Sequence, residues 1–302
     1  MGTMDLAQVR YFNAVARHGS FSAAARALGI SQPGLTKAVR RLEASLDCAL
    51  FHRVPRGVVL TRQGQALLRH ASLLDIQLQD ARNEVRALAG GAVGALKIGA
   101  GPSWLSRALP QIVAELTAAY PRLSFQIVGG FNGGLMEALG GGDLDLVVSA
   151  LPDRNPAGLE AIPLTTDTVT VVARRGHPLH AQRRPHPAST LAYPWVLPGS
   201  DVLVRARLDA LFRVAGLEPP AAKIEADSIS FIAAALRNSD MLSFVTSQVL
   251  RREMDGVAPL PIPALRMTRS AGILLRSSAG ITPAMRAFID AIKRRARGLG
   301  TN

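Results

Sequence analysis

The side chains with the clearest chemistry crowd into a short stretch near the start of the chain. Gln32, Thr36, Lys37 and Arg40 follow one another at helical spacing, which puts them on one side of a helix. These are residue types that read DNA. Glutamine bonds adenine in a bidentate pair, threonine meets a thymine methyl group, and lysine or arginine reaches guanine or a phosphate. The opposite side of the stretch carries Leu35, Val39, Leu42 and Leu46, an apolar face for a core. A little further on, Leu50 and Phe51 lead to Arg53, Pro55, Arg56 and Gly57, then Val58, Val59 and Leu60. This spells a small β-hairpin with a basic tip, and an arginine at such a tip suits a narrow minor groove. The charge balance agrees. Residues 1–62 hold nine lysines and arginines against three acids, the densest basic region in a chain of net charge +13. Such a balance favours a polyanionic partner.

Other chemistries are less well served. Gly99-Ala100-Gly101 invites a dinucleotide reading, but the third glycine of that fingerprint would fall on Trp104. What survives is a strand-to-helix junction with free N–H groups and Ser103, which suits a small anion. Pro198-Gly199-Ser200, ahead of a second helical run, has similar chemistry. Two such junctions facing one cleft would hold a carboxylate or sulfonate; simple helix capping is the alternative. No GxSxG, HExxH or Walker A sequence occurs, so no catalytic residue and no cofactor is expected. His177, His180 and His186 lie within ten residues, yet Pro178, Pro185 and Pro187 break any helix that would align them. They read as a polar loop, and no metal is expected. The single cysteine, Cys48, lies among apolar neighbours and reads as packing. One cysteine also excludes a disulfide scaffold and fits a reducing cytosol.

The elements that must position these residues can be read along the chain. Leu6, Val9, Phe12 and Ala16 keep helical spacing up to Gly19. Ser20 then stands as an N-cap before the alanine-rich run Phe21–Leu28, and Gly29 supplies a tight turn. Ser31 caps the next helix, with Pro33 tolerated in its first turn. Two short helices joined by a glycine turn make a helix-turn-helix, whose second helix enters the major groove by its N-terminus. Thr61 caps a long helix in which Leu67, Ala71, Leu74, Leu78, Ala81, Val85 and Leu88 alternate at spacings of four and three. That 3.5-residue repeat favours a coiled-coil seam, and so a homodimer on a near-palindromic site, over a helix lying on its own domain's core, which would show a wider apolar stripe. Gly90, Gly91 and Gly94 mark a hinge. Beyond it comes an α/β pattern: strands at 95–99, 123–128 and 144–149 with helices at 105–119 and 135–139. A second set follows, with strands at 169–173, 195–197 and 242–245 and helices at 203–215 and 230–236. The fully apolar strand from Leu144 suggests a parallel sheet, and two α/β sets suggest a cleft between them.

The 302 residues, 48% of them hydrophobic, bury a sizeable core and exclude wholesale disorder. No apolar run reaches the ~18 residues of a membrane span, and the start of the chain has no apolar leader. A cytoplasmic protein without membrane contact is expected. The C-terminal run Lys293, Arg294, Arg295 and Arg297 reads as a solvated helix end rather than a second DNA contact. Competing classes are a solute-binding protein with a basic extension, disfavoured by the heptads, and an enzyme with an accessory helical domain, which lacks a catalytic constellation.

Phe21 to Leu68, FSAAARALGISQPGLTKAVRRLEASLDCALFHRVPRGVVLTRQGQALL, closely resembles the DNA-binding domain of LysR-type transcriptional regulators. The SQP, RLE, LF, R-G before LT and G-x-x-LL stand in that family's places. The likeness extends less sharply through GDLDLVV from Gly142 and GHPL from Gly176. The resemblance implies an α/β multidomain protein: a winged helix-turn-helix over 1–62, a coiled-coil linker helix over 63–90, and an effector-binding domain over 91–302. The last would be a periplasmic-binding-protein-like pair of subdomains, about 91–163 plus 268–302 and about 164–267. It implies a homotetramer on double-stranded promoter DNA, answering to a small-molecule effector and touching RNA polymerase if it activates. By motif position, Gln32, Pro33, Thr36 and Lys37 would face the major groove, Arg40, Arg41 and Arg53 phosphates, and Arg56 the wing contact, with Ser31 counted among the DNA-binding residues. Effector contacts would come from Pro102, Ser103 and Trp104, from Phe131 and Asn132, from Ala150, and from Ser200, Val202 and Thr246. Many relatives carry threonine or serine at several of these positions. Trp104, Phe131 and Ala150 would make this pocket bulkier and more apolar, which points to an aromatic or other partly apolar anion.

Overall fold

A computed structural model describes residues 4–55, 57–88, 94–106, 108–200, 202–277 and 280–296. The chain divides into two compact units, residues 1–82 and 83–302.

In the first unit the local code is written in caps. Helix α1 (Leu6–His18) begins at Asp5, whose carboxylate accepts from the Ala7 N–H, and ends at Gly19 in the left-handed region. Helix α2 (Phe21–Leu28) begins at Ser20, which accepts from the Ala23 N–H, and ends at left-handed Gly29. Only two residues remain before α3 (Gln32–Leu46), where the Ser31 hydroxyl accepts from the Gly34 N–H. Each cap satisfies an N–H that the first turn cannot pair internally. Val9, Phe12 and Leu42 share one buried cluster with Leu50 and Ala71, and Val15, Ala24, Ala25, Leu35 and Val39 share another. Leu6 and Leu46, expected on the apolar faces, are 41% and 38% exposed. Both sit at helix ends, beyond reach of the facing helix. Cys48 packs against the first cluster.

Strands β1 (Phe51–Val54) and β2 (Gly57–Leu60) form the expected antiparallel hairpin. Its position is fixed by contact rather than by length alone. The Val58 N–H donates to the Gly19 carbonyl at 2.9 Å, and a Cβ on Gly57 would come within 2.3 Å of that same oxygen. Gly57 also has φ +132°, which a side chain would strain. Phe51 closes the base of the hairpin against Phe12 and Phe21, with ring centroids 5.2 and 5.8 Å apart.

Helix α4 spans Arg62–Leu88. Its first turns belong to the unit's own core: Ala71 is fully buried and Leu67 packs beside it. These two residues were expected on a dimer seam. The same repeat serves the α1–α3 core there, because Leu50 and Leu42 already cover that face. Leu74 and Val85 are 41% and 65% exposed, Ala81 is exposed and Leu78 half-buried. The Leu88 side chain, and the Gly90 and Gly91 of the expected hinge, lie outside the described residues.

The second unit is built on a seven-stranded sheet. Strands β3 (Gly94–Ala100), β4 (Leu123–Gly129) and β5 (Leu146–Ala150) run parallel. Strand β6 (Leu159–Arg174) is far longer than the expected 169–173. Strands β7 (Trp195–Leu197) and β8 (Ala222–Glu225) pair with each other, and β9 (Ser243–Thr246), β10 (Val257–Pro259) and β11 (Met267–Arg276) complete the set. The expected parallel sheet is corrected to a mixed one: β11 runs antiparallel to β5 and β6, and β9 and β10 run antiparallel to β6. The cause is the return of β6 and β11, which run side by side through both lobes.

Around this sheet lie α5 (Pro102–Leu105), α6 (Leu109–Ala119), α7 (Asn132–Gly140), α8 (Leu203–Val214), α9 (Ile229–Arg237), α10 (Ser247–Glu253) and α11 (Pro283–Ala296). The single helix expected over 105–119 is two, with Pro110 inside the first turn of the second. In the first lobe, α6 and α11 cover one sheet face with Ile112, Leu116, Phe288 and Ile292, and α7 covers the other with Leu135 and Leu139. In the second lobe, α8 packs Leu208 and Phe212 on one side of β6 and β9, while α9 and α10 pack Ile232, Leu236 and Val249 on the other. Among the described residues, no helix is long and apolar enough to cross a membrane.

Candidate functional site

The α3 surface is the first candidate. With Leu35, Val39 and Leu42 turned inward, Gln32, Pro33, Lys37, Arg40 and Arg41 are exposed and Thr36 half-buried. These six residues and Ala44 line one continuous open groove along the helix. Ser31 is exposed and spends its hydroxyl on the cap. Arg53 is exposed on β1, opposite Val58; Arg56 lies outside the described residues. The helix therefore presents donors, a methyl group and cations outward from a rigid, capped start. That is the set a major groove can bond, with cations further along for phosphates.

The second candidate is the cleft between the two lobes of the second unit. A narrow cavity of about 50 Å³ lies there, lined from the first lobe by Pro102, Ser103, Phe131 and Asn132, and from the second by Val202 and Thr246. Asn132 is held rigidly: its amide donates to the Ala150 carbonyl at 2.6 Å and its oxygen accepts from the Ser149 hydroxyl at 2.8 Å. The Thr246 hydroxyl caps α10 by accepting from the Val249 N–H.

Three expected residues do not reach this cavity. Trp104 is buried in the first lobe's core, because the single turn of α5 swings its ring onto β3 and α6. Ala150 is buried behind Asn132 and contributes its carbonyl to that residue. Ser200 is exposed away from the lining. The bulk that Trp104 was expected to bring to the pocket is absent from it; Phe131 alone remains.

The residue that sequence reasoning missed is Arg269. It stands near the start of β11, lines the cavity, and is directly paired in register with Asp167 of β6. Its Nη2 lies 3.4 Å from the Ser103 oxygen and 3.9 Å from Asp167 Oδ2. Asp167 itself is held from behind, with Oδ1 accepting from the Thr168 N–H and the Ser247 hydroxyl. The Arg269 Nε is buried and has no partner among the described residues, and the same holds for the Ser243 hydroxyl on the cavity wall. Burial pushes the Arg269 guanidinium down to about 10, opposed by the Asp167 carboxylate and aided by the like charge of Arg207. It stays a cation at neutral pH. The only sequence signal for it was a charged residue flanking an apolar strand, which is commonplace.

Other groups singled out by the sequence have structural employment. The Nδ1 atoms of His177 and His186 accept from the Leu179 and Ala188 N–H groups, so each starts a 3₁₀ turn. Gly99 and Gly101 allow close packing, since a Cβ on either would lie within 3 Å of Leu144 or Ser149 side-chain atoms. Arg294 of the basic C-terminal run pairs with Glu115 at 3.0 Å.

Comparisons with known proteins bear on both candidates. Residues 6–65 match the bacterial regulatory helix-turn-helix proteins of the lysR family, and residues 89–297 match the LysR substrate binding domain. The SDS degradation transcriptional activation protein of a Pseudomonas strain is 33% identical over 291 residues, covering 94% of each chain. The HTH-type transcriptional regulator PcaQ of Agrobacterium fabrum is 30% identical over 285 residues, covering 93% of this chain and 92% of PcaQ. In fold, the chain is similar to a full-length OxyR variant from Pseudomonas aeruginosa, with a TM-score of 0.68 at 22% identity over 96% of this chain and 98% of that one. CbnR, a LysR family transcriptional regulator, gives a TM-score of 0.63 at 24% identity over 97% and 99% of the two chains.

Proposed function

The chain belongs to the LysR family of transcriptional regulators, DNA-binding proteins and not enzymes, and on that premise we propose how its residues divide the work. Residues 1–62 bind the operator, 63–90 link and dimerise, and 91–302 sense the effector. Two protomers join through the outer part of α4 and present two α3 helices to neighbouring major-groove faces of a near-palindrome. Gln32, Pro33, Thr36 and Lys37 read base edges from the Ser31-capped start. Arg40, Arg41 and Arg53 hold phosphates, and Arg56 at the hairpin tip enters the minor groove. Pairs of dimers form a tetramer, which meets RNA polymerase if the protein activates.

The effector is a small anion, a carboxylate or sulfonate with an apolar, aromatic or aliphatic body, seated between the two lobes. Binding changes the angle between the lobes, and the assembly passes that change to the DNA as altered bending. A ligand shifts such an equilibrium only by its differential affinity for the two states. The observation that carries the reading is the outward row on α3, displayed by a helix whose opposite face buries Leu35, Val39 and Leu42.

The test is footprinting of the DNA upstream of the protein's own gene, with and without a panel of aliphatic and aromatic acids. A protected near-palindrome whose pattern shifts with an acid is the expected result. Arg40→Ala should weaken protection across all sites and reduce the salt slope by about 1. Failure to protect DNA at low salt would refute the interface, and a footprint that no acid alters would refute the effector role.

A further inference from the structure

The inner cavity is too narrow for a whole effector, and a wider groove of about 710 Å³ adjoins it. The two spaces share Pro102, Phe131, Val202 and Ile229 in their linings, and these four residues would form the throat for a ligand that occupies both. Their charges are opposite. Among the described residues, the inner space has one ionised side chain on its wall, the cation Arg269, while the outer groove has two, the carboxylates of Asp227 and Glu253. The inner wall is otherwise mainly apolar, with Val204, Ile232, Phe244, Val245 and Val249. Asp167 screens Arg269 from behind but is absent from the cavity lining, and at 3.9 Å its oxygen lies beyond hydrogen-bond range. The guanidinium of this cavity-lining residue thus keeps an unpartnered Nε among the described residues, and an unsatisfied buried donor is costly until a partner takes it.

Resting on the reading of the cleft as the effector site, we propose that the ligand is an elongated amphipathic monoanion, inserted head first. Its single anionic group seats on Arg269 with Ser103 and Ser243. Its apolar body fills the throat between Phe131, Val202 and Ile229. Its far end, in the outer groove beside Asp227 and Glu253, is neutral or cationic. A dianion of the same length is rejected, because its second charge would lie against two carboxylates. Charge polarity along the ligand, rather than anionic character alone, sets specificity.

A matched series tests this: octanoate, octanedioate, 8-aminooctanoate, octylamine and octanol, titrated calorimetrically against the full chain. Octanoate and 8-aminooctanoate should bind, and octanedioate, octylamine and octanol should each bind at least about tenfold more weakly. Arg269→Gln should weaken octanoate by about ten- to a hundredfold, with tryptophan-monitored unfolding reporting that the second unit still folds. The double variant Asp227→Asn/Glu253→Gln alters the groove rim rather than the core and should close the gap between octanoate and octanedioate. Equal binding of mono- and dianion, equal binding of octanol, or an unchanged gap in the double variant would overturn the proposal. If no member binds while the footprint answers to a compact polar acid, this inference falls and the effector reading stands. If neither the series nor the acid panel alters the footprint, the effector reading falls with it.

Discussion

Thr61 is the residue through which the hairpin and the long helix depend on each other, and Thr61→Val measures that dependence. The Thr61 hydroxyl accepts from the Gly64 N–H at 2.9 Å and donates to the Ala49 carbonyl at 2.8 Å. The side chain is 5% exposed. Valine keeps the volume and removes both bonds. Losing the cap costs about 1 kcal/mol. Losing the bond to Ala49 costs about 1 kcal/mol more, the lower part of the usual range, because Ala49 is exposed and its carbonyl recovers water. The first unit should therefore lose about 2 kcal/mol, and for a domain of its size the melting midpoint should fall by about 10 °C. The chain supplies its own control. Both tryptophans, Trp104 and Trp195, lie in the second unit, so their fluorescence follows that unit alone while far-ultraviolet circular dichroism follows both. The helical signal should begin to melt earlier and the tryptophan midpoint should stay in place. Thr61→Ser, which keeps both bonds, should recover most of the loss. A helical transition that does not move, or a tryptophan transition that moves with it, would refute the reasoning.

Three further outcomes are expected. Leu74→Asp/Val85→Asp, at exposed positions of α4, should turn dimers into monomers in sedimentation at micromolar concentration and abolish tight operator binding, with little change in unfolding; a persisting dimer would place the interface elsewhere. Asn132→Leu leaves the Ala150 carbonyl and Ser149 hydroxyl buried without their partner, so the tryptophan-monitored urea midpoint should fall by the equivalent of about 3 kcal/mol; a loss under about 1 kcal/mol would mean the network is wet. His177 is held below its ordinary 6.5, chiefly by burial. The unfolded chain then binds the proton more readily, so the stability from neutral His177 is present above 6.5 and is lost as pH falls through that value. His177→Asn, which can still cap the turn, should flatten the drop in tryptophan-monitored stability between about pH 7 and 5; an unchanged slope would assign the drop to other groups.

The parts that were legible in the sequence are those whose physics is local. Ser20, Ser31 and Thr61 each precede a helical run and satisfy N–H groups within three residues, so the helix starts could be read without knowing any neighbour. The hairpin was legible because Arg53-Val54-Pro55-Arg56-Gly57 joins two short β-branched stretches, although what fixes it in space is the Gly19 carbonyl. Where the partner is distant in sequence, the reading failed or was silent. The heptad pattern at Leu67 and Ala71 is real, but periodicity does not say what covers a stripe, and here α1 and α3 cover its first turns. Trp104 was placed near the cleft by chain position, but a one-turn helix has a side toward the core as well as a side toward the cavity. Arg269 was invisible because its role follows from register: β11 pairs with β6 so that Arg269 falls opposite Asp167.

Register also explains why Arg269 alone cannot operate a switch. It stands on β11, which with β6 runs through both lobes, so in the proposed lobe movement its guanidinium would belong to the hinge rather than to either moving part. A ligand that touches Arg269 and nothing else makes nearly the same contacts whether the lobes are open or closed, and equal affinity for two states shifts neither. The main lever is the part of the ligand that meets Pro102 and Phe131 on one lobe and Val202 and Ile229 on the other, because those apolar contacts add to the smaller bridge that the head makes between Ser103 and Ser243. Acetate, an anionic head without a body, should therefore compete with a longer monoanion for the cavity and shift the operator footprint far less than octanoate does. The chain length at which the footprint first responds should be the length that spans the throat. A footprint that acetate shifts as fully as octanoate does would refute this division between seat and lever.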